Sequence, residues 1–226
     1  MMILSGYLYA YLYLFGVIFA VGALQKLFRF DVEISRKVIH FFIGFVWLIL
    51  YRFHAGTWHF LVVPFSFVVI NYLSYKLKIF KMFEREDEKN HFGTVFYAIS
   101  MTVMSGVSLI WPKTLLPYGI AVFCLSFGDA AAALCGTYIR RGNRMITKEK
   151  SLFGTLGAIL FSIVGIYLFL LIFPAPLQLW QVLLLAVATG LLELAGKGLD
   201  NFTLPFGVLT LATLFLYGAK LCNIGS

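Results

Sequence analysis

The chain is a succession of apolar runs, each about as long as a helix needs to cross a bilayer, parted by short charged or glycine- and proline-containing breaks. A hydrocarbon core about 30 Å thick takes roughly 20 apolar residues per spanning helix. Lipid offers the backbone no hydrogen-bond partners, so runs of this kind fold as helices. Eight candidates follow from the pattern, near residues 3–24, 37–52, 58–74, 92–110, 115–139, 152–173, 178–197 and 203–220. Eight spans take up about 160 residues of a chain of 226. No separate soluble domain fits, and any chemistry has to be built from helix ends and short loops. Only 12% of the residues are charged, against about 25% in a soluble domain. The expected fold class is therefore all-α: a polytopic integral membrane helix bundle of about eight transmembrane helices, one transmembrane domain over residues 1–226. The break at Arg52-Phe53-His54-Ala55-Gly56 is the poorest separator, and the second and third candidates also read as one bent hairpin. The first run is too long for a signal-peptide core and has neither a basic residue before it nor a small-x-small site after it, so it is expected to stay as a helix.

Charge orients this scheme. The connections after the first, third, fifth and seventh helices carry Lys26, Arg29, Arg36 and Lys37, then Lys76, Lys78, Lys81, Arg85 and Lys89, then Arg140, Arg141, Arg144, Lys148 and Lys150, then Lys197. The opposite side carries Arg52, Lys113 and Lys220. By the positive-inside rule the first set is cytoplasmic and both termini face outward. The net charge of +8 is scattered over several loops and not gathered on one polar helix or arm, which speaks against nucleic acid and for anionic headgroups or phosphorylated ligands. Cys124, Cys135 and Cys222 have no metal-like spacing, so neither a disulfide nor a zinc site is expected.

The polar residues that do interrupt apolar runs cluster toward the basic side. Asp129, in Gly128-Asp129-Ala130-Ala131-Ala132, lies 11 residues before Arg140, about 16 Å along a straight helix and so near mid-bilayer. There it is either neutral or facing a polar cavity, and an intramembrane carboxylate is by default a functional-site hypothesis. Gly128, Ala132 and Gly136 recur at four-residue spacing, which suits close helix packing. Lys148, Lys150, Ser151 and Gly154 open the sixth helix. A helix N-terminus favours anions, and Gly154 gives a phosphate access to the backbone. The plain alternative is a basic loop with Ser151 as N-cap. The G-x-x-x-x-G-K-[ST] order of a Walker A loop is absent. Glu193, Lys197, Asp200 and Asn201 follow on the seventh helix and the loop after it. Glu193 and Lys197 are spaced for an ion pair, and Asp200 or Asn201 for a cap on the eighth helix. Carboxylates converging from two helices beside basic residues also suit magnesium held with substrate phosphates. Arg36, His40 and Gly44 share one face of the second helix beside Lys37, as a snorkelling pair over an interfacial histidine or as a phosphate clamp with an acid or base. The charged stretch 84–90 reads as solvated, and His54, His59 and His91 receive no role.

Together, Arg36-Lys37-x-x-His40-x-x-x-Gly44, Gly128-Asp129-Ala-Ala-Ala, Lys150-Ser151-x-x-Gly154-Thr155 and Glu193…Asp200-Asn201-x-x-x-Pro205 resemble the polyprenol kinase family of dolichol, phytol and CTP-dependent diacylglycerol kinases. The motifs run from 36 to 205 and leave the first helix, 1–25, outside them. The resemblance implies transfer of a nucleotide's terminal phosphate, CTP favoured, to the hydroxyl of a membrane prenol, polyprenol or diacylglycerol, with magnesium. On that basis Asp129, Asp200 and Glu193 are expected to hold the metal, Arg36, Lys37, Lys148, Lys150, Ser151 and Gly154 the nucleotide, and Asp129 or His40 to deprotonate the alcohol, with Gly128 and Asn201 supporting. The family is distantly similar to the phosphatidate cytidylyltransferases, but their Asp-rich C-terminal signature with following basic residues is not evident, since Leu199-Asp200-Asn201 is followed by Phe-Thr-Leu-Pro. A cytidylyltransferase forming a CDP-lipid, and a small-solute transporter with Asp129 and Glu193 at mid-membrane, are the alternatives. The expected location is a bacterial inner membrane with the site on its cytoplasmic side.

Overall fold

A computed structural model describes residues 2–29, 31–77, 93–139, 141–196 and 198–222. The charged stretch 84–90, His91, Arg140 and Lys197 lie outside them. The first apolar run is helix α1 (Met2–Phe28). The second is two helices, α2 (Val32–Ile43) and α3 (Val46–His54), which meet at a turn over Gly44 and Phe45. The Arg52–Gly56 break is a true separator. Gly56 takes a φ of 74°, a conformation glycine adopts without a Cβ clash, and the chain reverses into α4 (His59–Leu77). Next come α5 (Gly93–Ile110), α6 (Leu115–Cys124), α7 (Ala130–Tyr138), α8 (Leu152–Ile172), α9 (Leu179–Ala195) and α10 (Asp200–Cys222). No strand occurs among the described residues. Among the described residues, seven helical segments are long and apolar enough to cross a membrane, and α9 is a shorter apolar helix. The chain is an all-α polytopic membrane bundle.

Two starts differ from the apolar pattern. α2 begins at Val32 and not near 37, because the Asp31 side chain accepts the Glu33 N–H at 2.8 Å and caps a polar first turn. Arg36 and Lys37 consequently stand inside a helix, one turn deeper than a loop would hold them. α10 begins at Asp200 and not near 203, so Asp200 and Asn201 belong to its first turn.

The axis of the bundle is the α6–α7 segment, which α8, α10 and α2 surround. Between α6 and α7 the helix widens into a π-turn over Leu125–Asp129. Such a turn accommodates one extra residue and so rotates the following face by about 100°. Small residues let the neighbours close in. A Cβ on Gly128 would lie 2.6 Å from the Ser162 Oγ of α8 and 2.9 Å from the Thr189 Cγ2 of α9. In a bilayer, where helices gain no hydrophobic drive from meeting each other, this van der Waals contact is the main source of association. Trp47, Phe60, Tyr118, Phe123 and Phe169 are buried together in one apolar cluster. The ends of α4, α7 and α9 and the starts of α2, α5, α8 and α10 supply residues to one end of the bundle, and that end carries the site.

Candidate active site

Asp129 ends the π-turn and is 1% exposed. The rotation of the helix there turns its carboxylate to α2, where the Lys37 ammonium donates to both oxygens, at 2.7 Å to Oδ1 and 2.6 Å to Oδ2. The carboxylate in the apolar run is thus charge-paired, the condition under which a buried ion is tolerable. His40, one turn further along α2, has its Nε2 3.5 Å from the Asp129 Oδ2, beyond a hydrogen bond. That nitrogen is buried and has no hydrogen-bond partner among the described residues, and the ring meets Tyr97 edge-on at 4.4 Å.

A second lysine closes the other side. The Lys150 ammonium donates to Glu193 Oε1 and, at 2.9 Å, to Asp200 Oδ2. Lys150 is delivered by an ordered loop. Asn143 donates to the Gly136 carbonyl and to the Ser151 hydroxyl, both at 3.1 Å, and accepts the Phe153 N–H at 3.0 Å. The Lys150 carbonyl accepts the Ile146 and Thr147 N–H groups. Partial burial acts to lower the Lys150 pKa, but the Asp200 and Glu193 carboxylates outweigh it and hold the ammonium well above the usual lysine range.

Between the two lysines, one oxygen from each of Asp129, Glu193 and Asp200 lies within 4.8 Å of the others. Glu193 is 3% exposed, and its second oxygen, Oε2, has no hydrogen-bond partner among the described residues. A hard cation bound by carboxylate oxygens is the ligand such a set fits: the donors are all oxygen, converge from three helical segments and leave a buried acceptor unsatisfied.

These groups stand beside two cavities. A polar one of about 410 Å³ is lined by Arg36, Lys37, Lys150, Ser151, Glu193 and Asp200, among others. An apolar one of about 150 Å³ runs between α1, α2, α4 and α5, with His40 on its wall. Arg36, Gly93 and Asn201 line both. Asn201 holds this junction together: its side-chain amide donates to the Gly93 carbonyl at 2.9 Å, and its backbone carbonyl accepts from the Ser100 hydroxyl at 2.8 Å. Arg36 is steadied by Glu33 through bonds of 3.1 and 2.6 Å. A site of this shape presents a phosphorylated polar ligand and an apolar chain to each other at one border.

Other expected residues take more structural positions. Ser151 is the N-cap of α8 and accepts the Gly154 N–H at 3.2 Å, so that donor is already engaged. A Cβ on Gly154 would lie 2.9 Å from the Ala132 carbonyl oxygen of α7, so the glycine permits the α7–α8 crossing as well as lining the polar cavity. Gly128 acts in the same way toward α8 and α9. Lys148 is exposed and is not part of the cavity wall. The Asp200 carboxylate accepts the N–H of Asn201 at 3.1 Å while also receiving Lys150.

Comparison with known proteins adds an independent observation. The chain is 29% identical over 205 residues to a phytol kinase from Synechocystis sp. (strain ATCC 27184 / PCC 6803 / Kazusa), covering 86% of this chain and 84% of that protein. The resemblance to the polyprenol kinase family is borne out. No family model and no solved structure matches the chain. The similarity extends over most of both lengths, so it embraces the helical framework and not an isolated motif.

Some site residues give no signal in the sequence. Tyr97, against which His40 packs, looks like any aromatic residue in an apolar helix. Glu33 and Asn143 each stand among other polar residues, where nothing singles them out. The spacing Asp31-x-Glu33 before an apolar run is the one cue for a helix start that would have brought Glu33 into view.

Proposed function

We propose that this protein is a lipid-alcohol kinase that transfers the terminal phosphate of a nucleoside triphosphate, CTP favoured, to the hydroxyl of a membrane prenol. The observation that carries the reading is the meeting of the carboxylate-lined polar cavity with the apolar groove at Arg36, Gly93 and Asn201. The similarity to a phytol kinase supports it. The positive-inside pattern supports a site on the cytoplasmic side with both termini outside, in a bacterial inner membrane.

In this reading Asp129, Glu193 and Asp200 hold magnesium, which supplies neutralisation of phosphate charge. Phosphoryl transfer asks chiefly for positioning and for such neutralisation. Arg36 and Lys150 face the nucleotide phosphates from opposite walls, and Lys37 sets the orientation of Asp129. The alcohol tail lies in the groove and brings its hydroxyl to the border beside His40. The oxygen attacks the terminal phosphorus, the bond from that phosphorus to the bridging oxygen breaks, and the nucleoside diphosphate leaves. The hydroxyl proton passes to the His40 imidazole, which stands on the groove wall and whose Nε2 has no hydrogen-bond partner among the described residues. Asp129 is the lesser candidate for that proton, since both its oxygens already accept from Lys37.

The test is incubation of the detergent-solubilised protein with magnesium, nucleotide and prenols. Phosphorylated prenol formed where no gradient exists is the expected result. Absence of any nucleotide-dependent lipid product with CTP, ATP or UTP would overturn the reading and bring a transporter to the front.

A further inference from the structure

The apolar groove has an open end and a closed end. Where it borders the polar cavity its walls are partly exposed, at Arg36, Asn71, Tyr75 and Gly93. At its far end Leu14, Val46, Val63, Phe67, Ala98 and Met101 are all buried. Behind that end stands the packed core of Trp47, Leu50, Phe60 and Met104, in which each residue is 0% exposed. A chain that enters at the border therefore runs into a floor.

The depth of the groove follows from helix rise. From Tyr75 to Val63 along α4 is about 18 Å, and from Gly93 to Met101 along α5 is about 12 Å. The mean is about 15 Å, half of the roughly 30 Å hydrocarbon core, which is the reach of a tail of roughly fifteen to twenty carbons in one leaflet. The occupant is fixed by continuity: the groove shares three wall residues with the polar cavity, and what reaches that border from the apolar side is the hydroxyl end of a lipid alcohol.

We propose that Phe67, Ala98 and Met101 form a chain-length stop, so that the groove accepts one tail of about one leaflet's length and disfavours longer tails, which must leave between helices. This inference rests on the proposed kinase reading and deepens it by naming what selects the alcohol. α5 supplies the adjustable part of the stop: Ala98 lies one turn nearer the border than Met101, so a larger side chain at 98 shortens the groove by about 5 Å, and a smaller one at 101 lengthens it. The packed floor has few voids, so a volume change there is felt by the tail and is not absorbed by the surroundings.

The experiment measures kcat/KM of purified wild-type, Ala98→Phe, Ala98→Leu and Met101→Ala proteins on linear isoprenoid alcohols of roughly ten, fifteen, twenty and fifty carbons. The wild type is expected to turn over the fifty-carbon alcohol at least tenfold less well than the twenty-carbon one. Ala98→Phe or the milder Ala98→Leu is expected to lower the ratio of twenty- to ten-carbon turnover about tenfold, and Met101→Ala to raise the ratio of fifty- to twenty-carbon turnover. Turnover with the wild-type length profile in Met101→Ala and in either folded variant at 98 would overturn the stop and leave the kinase standing. A wild type that phosphorylates none of the alcohols would overturn both.

Discussion

The Lys37–Asp129 pair separates a structural role for Asp129 from a chemical one. Both side chains are almost wholly buried, at 7% and 1% exposure, and they share two hydrogen bonds of 2.6 and 2.7 Å. Asp129→Asn keeps the shape of the side chain but leaves the Lys37 ammonium buried without a counter-charge. Breaking such a pair from one side costs about 3–5 kcal/mol, or a fall in Tm on the order of 10 °C. Removing both charges, with Lys37→Met added, eliminates the stranded ion, and buried pairs replaced by uncharged side chains of similar volume are often neutral in stability. The double variant is therefore expected to regain at least about 2 kcal/mol of the loss, the remainder being the imperfectly bonded amide. Turnover behaves differently. With no carboxylate at 129 both variants are expected to lose on the order of a hundredfold or more in kcat. Thermal unfolding in detergent and phosphotransfer on the same preparations read the two effects. A double variant no more stable than Asp129→Asn would refute the coupling of the two charges. A folded Asp129→Asn protein with near-normal turnover would remove Asp129 from the mechanism.

Further outcomes follow from the rest of the site. His40→Gln is expected to lower kcat by about 10²–10⁴ with KM changed little and Tm preserved; parallel losses in kcat and Tm would make the histidine structural. Lys150→Met is expected to destabilise the protein by a nearly constant amount across neutral pH. The sign is that of a raised lysine: the stabilisation is full below the ordinary value of 10.5 and is lost only as pH rises through the higher folded value. Unfolding curves of both proteins from about pH 6 to 9 check this, and a difference that shrinks across neutral pH would contradict the Lys150–Glu193–Asp200 arrangement. Chelation by EDTA is expected to abolish turnover without unfolding the bundle, and magnesium or manganese to restore it; full activity in EDTA would exclude the metal role of the three carboxylates.

The framework was legible because its cause is local. Each span needs its own length of apolar sequence, so the eight runs announce themselves one at a time, and Asp129 stands out because a carboxylate is costly where it lies. The convergence of Asp129, Glu193 and Asp200 was legible in outline, as carboxylates from two separate helices beside basic residues. What the sequence hid is non-local or carries no composition. Lys37 finds its partner 92 positions away, and nothing in either segment specifies that distance. Lys150 donates to Glu193 from 43 positions away, a pairing that no local spacing specifies. The π-turn before Ala130 leaves the apolar run unbroken, and the polar first turn of α2 has no hydrophobic period to mark it. The groove is the least legible feature, since Phe67 facing a cavity, a neighbouring helix or lipid is the same residue in the same kind of run.

The central claim is that the polar cavity and the apolar groove are the two halves of one phosphoryl-transfer site. Parallel incubations of the purified protein with magnesium, prenols and CTP labelled at either the γ or the α phosphorus, followed by lipid extraction, test it most directly. Label in the lipid from the γ position alone is the predicted result. Label from the α position would contradict it, and would show that the same cavity transfers CMP and releases pyrophosphate.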